Sequence, residues 1–592
     1  MGMFWLALLI CTGLVGVITL FITRRGDHKS SEGFYLGGRS LTWPVIAGSL
    51  LLTNLSTEQM VGLNGAAFVH GFHVMVWEVV AVIALVMMAL YFLPRFLRSG
   101  ISTIPELLEI RFDKQTRTVC DFIFLGAYIV ILFPIILYTG AKCLDKIIDV
   151  QEITGITSQM GRLYVICAVI AILGAIYALV GGLKTVAVAD TLNGILLLAG
   201  GFLVAYLAFD KLGGENGGVI EGFKNMQQAI TDNPKISMNS MGGPNDNVPF
   251  FTIFSGVMLI NAFYWCTNQQ IIQRTLGASS LAEGQKGVLF TGLLKLFGPF
   301  YLVFPGLIAA ALFSTEYGAL RSDDAAVYGK LVNHIIESKF VLGFFTAALM
   351  GAILSSFNGA LTGSTTLFGT GVYKNVINKD ATERDTVIAG KIFGIIVTGI
   401  TICIAPLLSL LEGKTIFGYL QDMNAIYFIP IFAVVLVALF TGRVPAVAAK
   451  ISLVGGILLL MGIYFLDKTL LGFTSYIHWF YIVGYVFALL IVFMLVMGDY
   501  MPRKEEFIYK NVEAVDMTPW KKAPAVGLIL VVIVVIIYIT FGQASTVIGD
   551  SRKNIDDRIM KTEKVLKELK AEKAKEAKTS CGTPGCSTEA AK

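Results

Sequence analysis

Apolar runs recur along the chain from residue 3 to residue 542, broken by short polar stretches. Each run approaches the ~20 residues a helix needs to cross a ~30 Å hydrocarbon layer. A segment in lipid must satisfy its own backbone polarity, so these runs predict helices, and barrel-type alternation is absent. The pattern predicts about fourteen transmembrane helices, near 3–23, 43–65, 74–97, 119–141, 161–182, 187–209, 249–271, 286–313, 338–372, 388–411, 417–441, 445–466, 474–497 and 524–542. The fold class is therefore an all-α polytopic membrane protein.

Several spans break their own pattern. The second carries the block Thr53-Asn54-Leu55-Ser56-Thr57-Glu58-Gln59, and the seventh carries Asn261 followed by Tyr264-Trp265-Cys266-Thr267-Asn268-Gln269-Gln270. Glu78 stands in the third span, Lys295 in the eighth, Ser355-Ser356 in the ninth, and Gln421-Asp422 in the eleventh. A single polar residue in a span is usually an inter-helix hydrogen bond. Two polar blocks, each opening a run of five spans, instead point to paired interrupted helices in a transporter built from inverted repeats. The repeats would cover 43–209 and 249–441, with 3–23 as an extra N-terminal helix and 445–542 as additional helices. Gln59, Asn261 and Gln421 each offer a donor and an acceptor, and Tyr264 and Trp265 offer stacking faces. That set suits a neutral, hydroxyl-rich solute. Spans 43–65, 119–141 and 249–271 hold no Arg, which weighs against an acidic one. The Ser355-Ser356 hydroxyls suit a hard cation.

Composition sharpens this only slightly. The chain has 592 residues, 55% hydrophobic and 15% charged, against roughly 25% charged in soluble domains. No cysteine pair has zinc spacing, and His28, His70, His73, His334 and His478 all fall in or near expected loops, with His70 and His73 read as surface residues. No nucleophile–base pair stands out, so an enzyme is not expected. Arg24 and Arg25 follow the first apolar run rather than precede it, so 3–23 reads as a retained helix and not a signal peptide. Basic residues cluster in alternate loops (Arg24, Arg25, Lys29 and Arg39; Arg95 to Arg117; Lys374 to Lys391), which places those loops in the cytoplasm and both termini outside. The 210–248 and 314–337 segments then read as external loops. From 549 to 592 the chain is a charged tail, with Cys581 and Cys586 placed to close a small disulfide loop or to stay reduced.

The stretches Gly33 to Ser40, Asn54 to Gln59, Tyr91 to Pro94, Thr103 to Glu106, Tyr177 to Gly182, Asn268 to Leu276 and Ala348 to Ser356 resemble the solute:sodium symporter family, in its bacterial sodium/glucose (galactose) branch. The resemblance covers residues 33 to 542 and implies a LeuT-like fold of two inverted five-helix repeats. It implies sodium as coupling ion, held by the hydroxyls of Ser355 and Ser356 and the carbonyls of Leu52, Leu55 and Ala352. It also implies a sugar held by Gln59, Glu78, Asn261, Lys295 and Gln421, with Tyr264 as an inner gate. Trp77 and Ala81 depart from that branch, which expects Tyr and Ser. Asp190 matches an acidic position on the sodium exit route or at a second sodium. Asn358 and Gly359 lack the hydroxyls of two-sodium members, so one sodium is expected. The expected function is sodium-driven uptake of a hexose such as galactose or glucose in the cell inner membrane. The alternatives are symport of inositol, sialic acid or an amino acid, or a membrane sensor on a transporter fold.

Overall fold

The structure is a computed structural model. It describes residues 2–23, 30–148, 150–215, 217–232, 236–410, 415–466, 477–512 and 515–544, with positions 547, 549, 560 and 567. Residues 24–29, with Arg24, Arg25 and Lys29, and the tail apart from those single positions, with Cys581 and Cys586, lie outside the described residues.

Helix α1 (Gly2–Thr23) and the short α2 (Ser31–Leu36) lead to α3 (Trp43–Asn54) and α4 (Thr57–His70). A rod of α5 (Val76–Met87), π turns and α6 (Leu93–Ser99) follows, then α7 (Ile104–Arg111). A second rod joins α8 (Lys114–Ala127) to α9 (Phe133–Ile147), and α10 (Val150–Thr154) ends the connection. Helix α11 (Gln159–Gly213) runs 55 residues but turns at Gly182, where φ is 64°. A Cβ there would also sit 2.8 Å from the Phe34 carbonyl oxygen, so both backbone angle and close approach favour glycine. The turn divides α11 into the two spans expected near 161–182 and 187–209.

After α12 (Gly218–Thr231) come α13 (Gly256–Cys266) and α14 (Gln269–Leu276), then α15 (Leu281–Lys295), α16 (Gly298–Leu302) and α17 (Phe304–Leu312). The short α18 (Tyr317–Arg321) and α19 (Asp324–Ile335) precede α20 (Lys339–Thr366), which continues as π turns to Ile377. The series closes with α21 (Glu383–Ile404), α22 (Ile416–Phe440), α23 (Ala446–Leu466), α24 (Trp479–Tyr500) and α25 (Ala523–Phe541). Among the described residues, 10 helices are long and apolar enough to cross a membrane, or up to 11 if the pair bent by 53° between Lys295 and Gly298 is one span. The broken pairs α3–α4 and α13–α14 fall where polar blocks interrupt the apolar pattern.

Helices α3, α4, α5, α13, α20 and α22 are buried on most faces, as a bundle centre requires, and they carry the buried polar residues among their apolar ones. Helices α1 and α25 keep one narrow face on the bundle and turn the rest of their Leu, Ile and Val outward. Two expectations change. The segments 210–248 and 314–337 are not plain loops, because α12, α18 and α19 fold within them and α19 packs on α4 and α9. His73 is buried rather than on the surface, with Nε2 2.6 Å from Asn247 Oδ1.

Candidate functional site

Two helix breaks face each other in the bundle centre. In the first, Leu55 leaves helical geometry (ψ 56°) and Ser56 is extended. The Leu55 amide still reaches Leu51 O at 2.7 Å, but the next bonds run from Gln59 and Met60 to Ser56 O, so the ladder skips the intervening carbonyls. In the second, the amides of Thr267 and Asn268 both return to Phe263 O, and α14 restarts from Asn268 O. Tyr128 on the neighbouring rod donates its hydroxyl to Asn268 Oδ1 and accepts from the Gln270 amide at 3.2 Å, which pins this break. Unwound backbone survives at membrane depth only where protein or a cavity satisfies it.

A cavity of about 40 Å³ lies between the breaks. Gln59 on α4, Asn261 and Tyr264 on α13 and Gln421 on α22 line it, so four of the six expected solute residues share one space. Asn261 spends its amide N–H on Val257 O at 3.0 Å, which leaves its oxygen as an acceptor. Glu78 and Lys295 are not in the lining. Their side chains pair at 2.5 Å with no solvent exposure, and Lys295 also donates to Asn54 Oδ1. Asn54 does line the cavity, so the pair stands one layer behind it and orients a lining amide. Trp265, also in the lining, lies under Lys295 with Nζ 5.5 Å from a ring centroid.

A vestibule of about 990 Å³ opens from one end of the bundle. Trp77 and Gln421 line both spaces, so they form the partition. Trp77 packs edge-on against Phe417 (5.9 Å between centroids) and Phe480 (5.6 Å). The vestibule wall carries Lys142 paired with Asp323 at 3.2 Å. Next to it Asp324 is buried, with Oδ2 lacking a hydrogen-bond partner. Burial and then the adjacent Asp323 charge raise the Asp324 carboxyl to about 7.

On the other side of the first break, α20 brings up its serine pair. Ser356 Oγ donates to Thr53 O at 3.3 Å, and Leu52, Leu55 and Ala352 around it are fully buried. Among the described residues the buried Thr53 hydroxyl has no hydrogen-bond partner, and the buried hydroxyls of Ser56 and Ser355 have only the carboxyls of Glu58 and Asp190 near them. Buried hydroxyls are rarely left unpaired. Clustered with open-ladder carbonyls, they make an oxygen-rich nest that fits a hard cation. The close approach depends on Gly359, since a Cβ there would lie 3.2 Å from Thr53 Cγ2 and 2.9 Å from Arg274 Nη2.

Asp190 lies at that cation side, fully buried. It accepts from Ser49 Oγ at 2.8 Å and from Arg274 Nη2 at 3.1 Å. Arg274 also donates through Nε to Ser49 Oγ at 2.7 Å and to Gln270 O. Sequence reasoning named Asp190 and missed Arg274, which the helix prediction ended just short of. It missed Tyr128 and Asn268 as a pinning pair as well. Glu58 and Asn54 were visible in the polar block, but nothing local said that they line the cavity.

Comparison with known proteins agrees with this architecture. The residue profile of the Sodium:solute symporter family matches residues 34–457. The chain is 41% identical over 524 residues to the uncharacterized symporter YidK of Escherichia coli, covering 88% of each. It is 31% identical over 457 residues to the sodium/glucose cotransporter of Vibrio parahaemolyticus, covering 75% of this chain and 81% of that one. A solved Na+-coupled sialic acid symporter in a substrate-bound outward-open state superposes with TM-score 0.69 at 17% identity, over 85% of this chain and 99% of that one, which is a likeness of fold. Two interrupted helices at the bundle centre, an oxygen nest beside one of them and a family match along most of the length carry the same conclusion: this multi-pass membrane protein belongs to the sodium:solute symporter family, and it is a sodium-coupled transporter rather than an enzyme.

Proposed function

We propose that the solute is a neutral sugar, a hexose such as galactose or glucose, carried inward with sodium by alternating access. The observation that carries this reading is the shared cavity of Gln59, Asn261, Tyr264 and Gln421. Three amides supply donors and acceptors in near-equal number, and the aromatic rings supply flat apolar faces, which is what a pyranose presents in reverse. The Vibrio relative, named as a sodium/glucose cotransporter, supports the same class. Glu78 and Lys295 belong to this site as the buried pair behind Asn54, and Tyr264 is the gate below the solute.

Sodium sits on the hydroxyls of Ser355 and Ser356 and the carbonyls of Leu52, Leu55 and Ala352, one ion per solute, with Asp190 on its exit route. Binding there orders the Asn54–Gln59 stretch and raises solute affinity, a coupling of about 1–3 kcal/mol. The two repeats, 43–209 and 249–441, then rock about the site, while 3–23 and 445–542 flank them. Each charge moved down 100 mV adds ~2.3 kcal/mol. The vestibule faces the outside of the cell inner membrane, and both termini are external.

The test is uptake into proteoliposomes under an imposed sodium gradient, with galactose, glucose, an inositol and a neutral amino acid in competition. Galactose or glucose is expected to compete at the lowest concentration and only with sodium. Ser356→Ala is expected to raise the half-saturating sodium roughly tenfold. Uptake driven equally well by protons, or a panel led by the amino acid, would reject the proposal.

A further inference from the structure

Four lysines on the vestibule side of the bundle have a carboxylate each. Lys142 pairs with Asp323 at 3.2 Å, Lys211 with Glu337 at 3.1 Å, Lys224 with Glu221 at 3.1 Å, and Lys330 with Glu316. Lys146 and Lys339, both exposed, have no carboxylate within ion-pair distance among the described residues, and both line one cavity of about 440 Å³. It lies between the start of α1, the α9–α10 connection and the starts of α11 and α20. The carboxylates in its lining are already engaged. Arg162 holds both oxygens of Asp145, at 2.7 and 3.2 Å, and also donates to Thr157 O at 2.8 Å. Glu152 is not free either. The two lysines are left as the unanswered charges of the cavity.

The other walls are apolar and continuous with the outward surface of the bundle. Phe4, Trp5 and Ile153 line the cavity, and Ile153 is 52% exposed. Leu6, Leu9 and Ile10 of α1 and Phe340 of α20 turn outward beside it. Helix α1 is a fixed wall, because a Cβ at Gly343 of α20 would lie 2.3 Å from Phe4 O. A Trp and two Lys at the ends of spans mark the headgroup level of a bilayer. A ligand that answers both features joins an anion to apolar chains, and the volume lies in the range of small-molecule pockets.

We propose that this cavity is a binding site for an anionic glycerophospholipid. Lys146 and Lys339 donate charge-assisted hydrogen bonds to its phosphate, and its acyl chains run along the outward face of α1. A zwitterionic lipid brings its own ammonium to the same place and gains less from the lysines. A soluble phosphate ester gains the lysines but buries no chain. The bound lipid ties α1 to α10 and α20 at the rim of the vestibule side.

The experiment uses the purified full chain in detergent at neutral pH. The probe is a phosphatidylglycerol with a photoreactive diazirine near the start of one acyl chain. Covalent label is mapped on the Phe4–Ile10 and Val150–Thr154 stretches, in competition with unlabelled lipids of identical chains. Phosphatidylglycerol is expected to displace the label at a concentration at least about tenfold lower than phosphatidylcholine does. Lys146→Gln combined with Lys339→Gln is expected to close that gap to within about twofold. Lys211→Gln combined with Lys224→Gln removes two charges from paired lysines on the same side and is expected to keep the gap. Equal displacement by the two lipids, or label that is not saturable on these stretches, overturns the site. Loss of the gap in the Lys211 and Lys224 variant overturns it as well, since general surface charge then explains the preference. Displacement by glycerol 3-phosphate as readily as by phosphatidylglycerol assigns the lysines to a soluble phosphate ester and overturns the lipid.

Discussion

The two ends of this bundle are closed by different chemistry. At the vestibule end the partition is Trp77 against Phe417 and Phe480, with Gln421 beside them. At the opposite end, elements far apart in sequence are tied by polar bonds. Arg274 holds Asp190 and Ser49, and Gln273 donates to Tyr35 O at 2.6 Å and Thr366 Oγ1 at 2.9 Å. Arg39 reaches Gly100 O at 2.9 Å, and Arg117 joins Glu109 and the Thr370 carbonyl. Ring contacts contribute about 0.5–1.5 kcal/mol each beyond their buried area, whereas removing one partner of a buried ion pair costs about 3–5 kcal/mol. The vestibule partition is therefore the softer barrier. A transport cycle that opens the tied end needs ligands with a clear differential affinity for the opened form.

The largest effect is expected where the tie is charged and dry. Arg274→Ala leaves Asp190 buried without its cation, and a loss of about 3–5 kcal/mol is expected, with transport abolished. The neutral pair Asp190→Asn with Arg274→Gln is expected to recover most of the thermal stability, though not sodium-driven uptake. Equal stability of Arg274→Ala and the wild type would remove the contrast between the two ends.

Asp324 tests the vestibule wall. Its carboxyl is raised to about 7 by burial and by Asp323, against an ordinary value near 4. An unfolded chain ionises first, so this residue costs stability progressively as pH rises from about 4 to about 7, and the cost is constant above that. Asp324→Asn is expected to match the wild type near pH 4 and to exceed it at pH 8, read as thermal unfolding in detergent. His70 lines the same wall and is pushed down to about 4 by burial, so it adds its own slope across this window, and only the difference between wild type and Asp324→Asn isolates the carboxyl. A wild-type curve parallel to that of Asp324→Asn would sink the assignment.

These features were unequally legible in the sequence. The helix breaks were plain, because Thr53–Gln59 and Asn261–Gln270 place polar side chains where lipid would reject them, and each block contains a break, at Leu55–Ser56 and at Thr267–Asn268. The lining positions Gln59, Asn261, Tyr264 and Gln421 followed from the same logic. Glu78 and Lys295 were recognisable as buried charges able to neutralise each other, but no local pattern says that two charges 217 residues apart meet behind Asn54 instead of lining the cavity. Arg274 was missed because it falls just past an apolar run, and only the continuation of α14 carries it into the interior. The vestibule wall was read as loop because α18 and α19 are too short and polar to register as spans, and packing on α4 and α9 stabilises α19.

A smaller effect probes the rings directly. Trp77→Ala removes both edge-on contacts, worth about 1–3 kcal/mol together. Solute access from the vestibule is expected to speed up roughly ten- to a hundredfold, since each 1.4 kcal/mol is a decade. Stopped-flow binding of a transported sugar measures this, and an unchanged association rate would mean that the partition lies elsewhere.

The smallest expected effect returns to the tied end, at its surface. Asp113 caps α8, with Oδ1 accepting from the Thr116 amide and hydroxyl at 2.8 Å, while Oδ2 accepts from Lys450 on α23 at 2.9 Å. Burial alone would raise its pKa, but the Thr116 amide and Lys450 outweigh it, and the group sits below its usual range. A depressed carboxylate contributes stability above its unfolded value near 4 and loses it as pH falls through the folded one. Asp113→Asn keeps the cap and loses the ionic partner. A deficit of at most about 1 kcal/mol is expected at pH 7, because the side chain is about a third exposed and screened. That deficit is expected to shrink as the pH drops below about 4. If it held constant down to pH 3, the α8–α23 tie would be a matter of packing, and the charged character of this end would rest on its buried pairs alone.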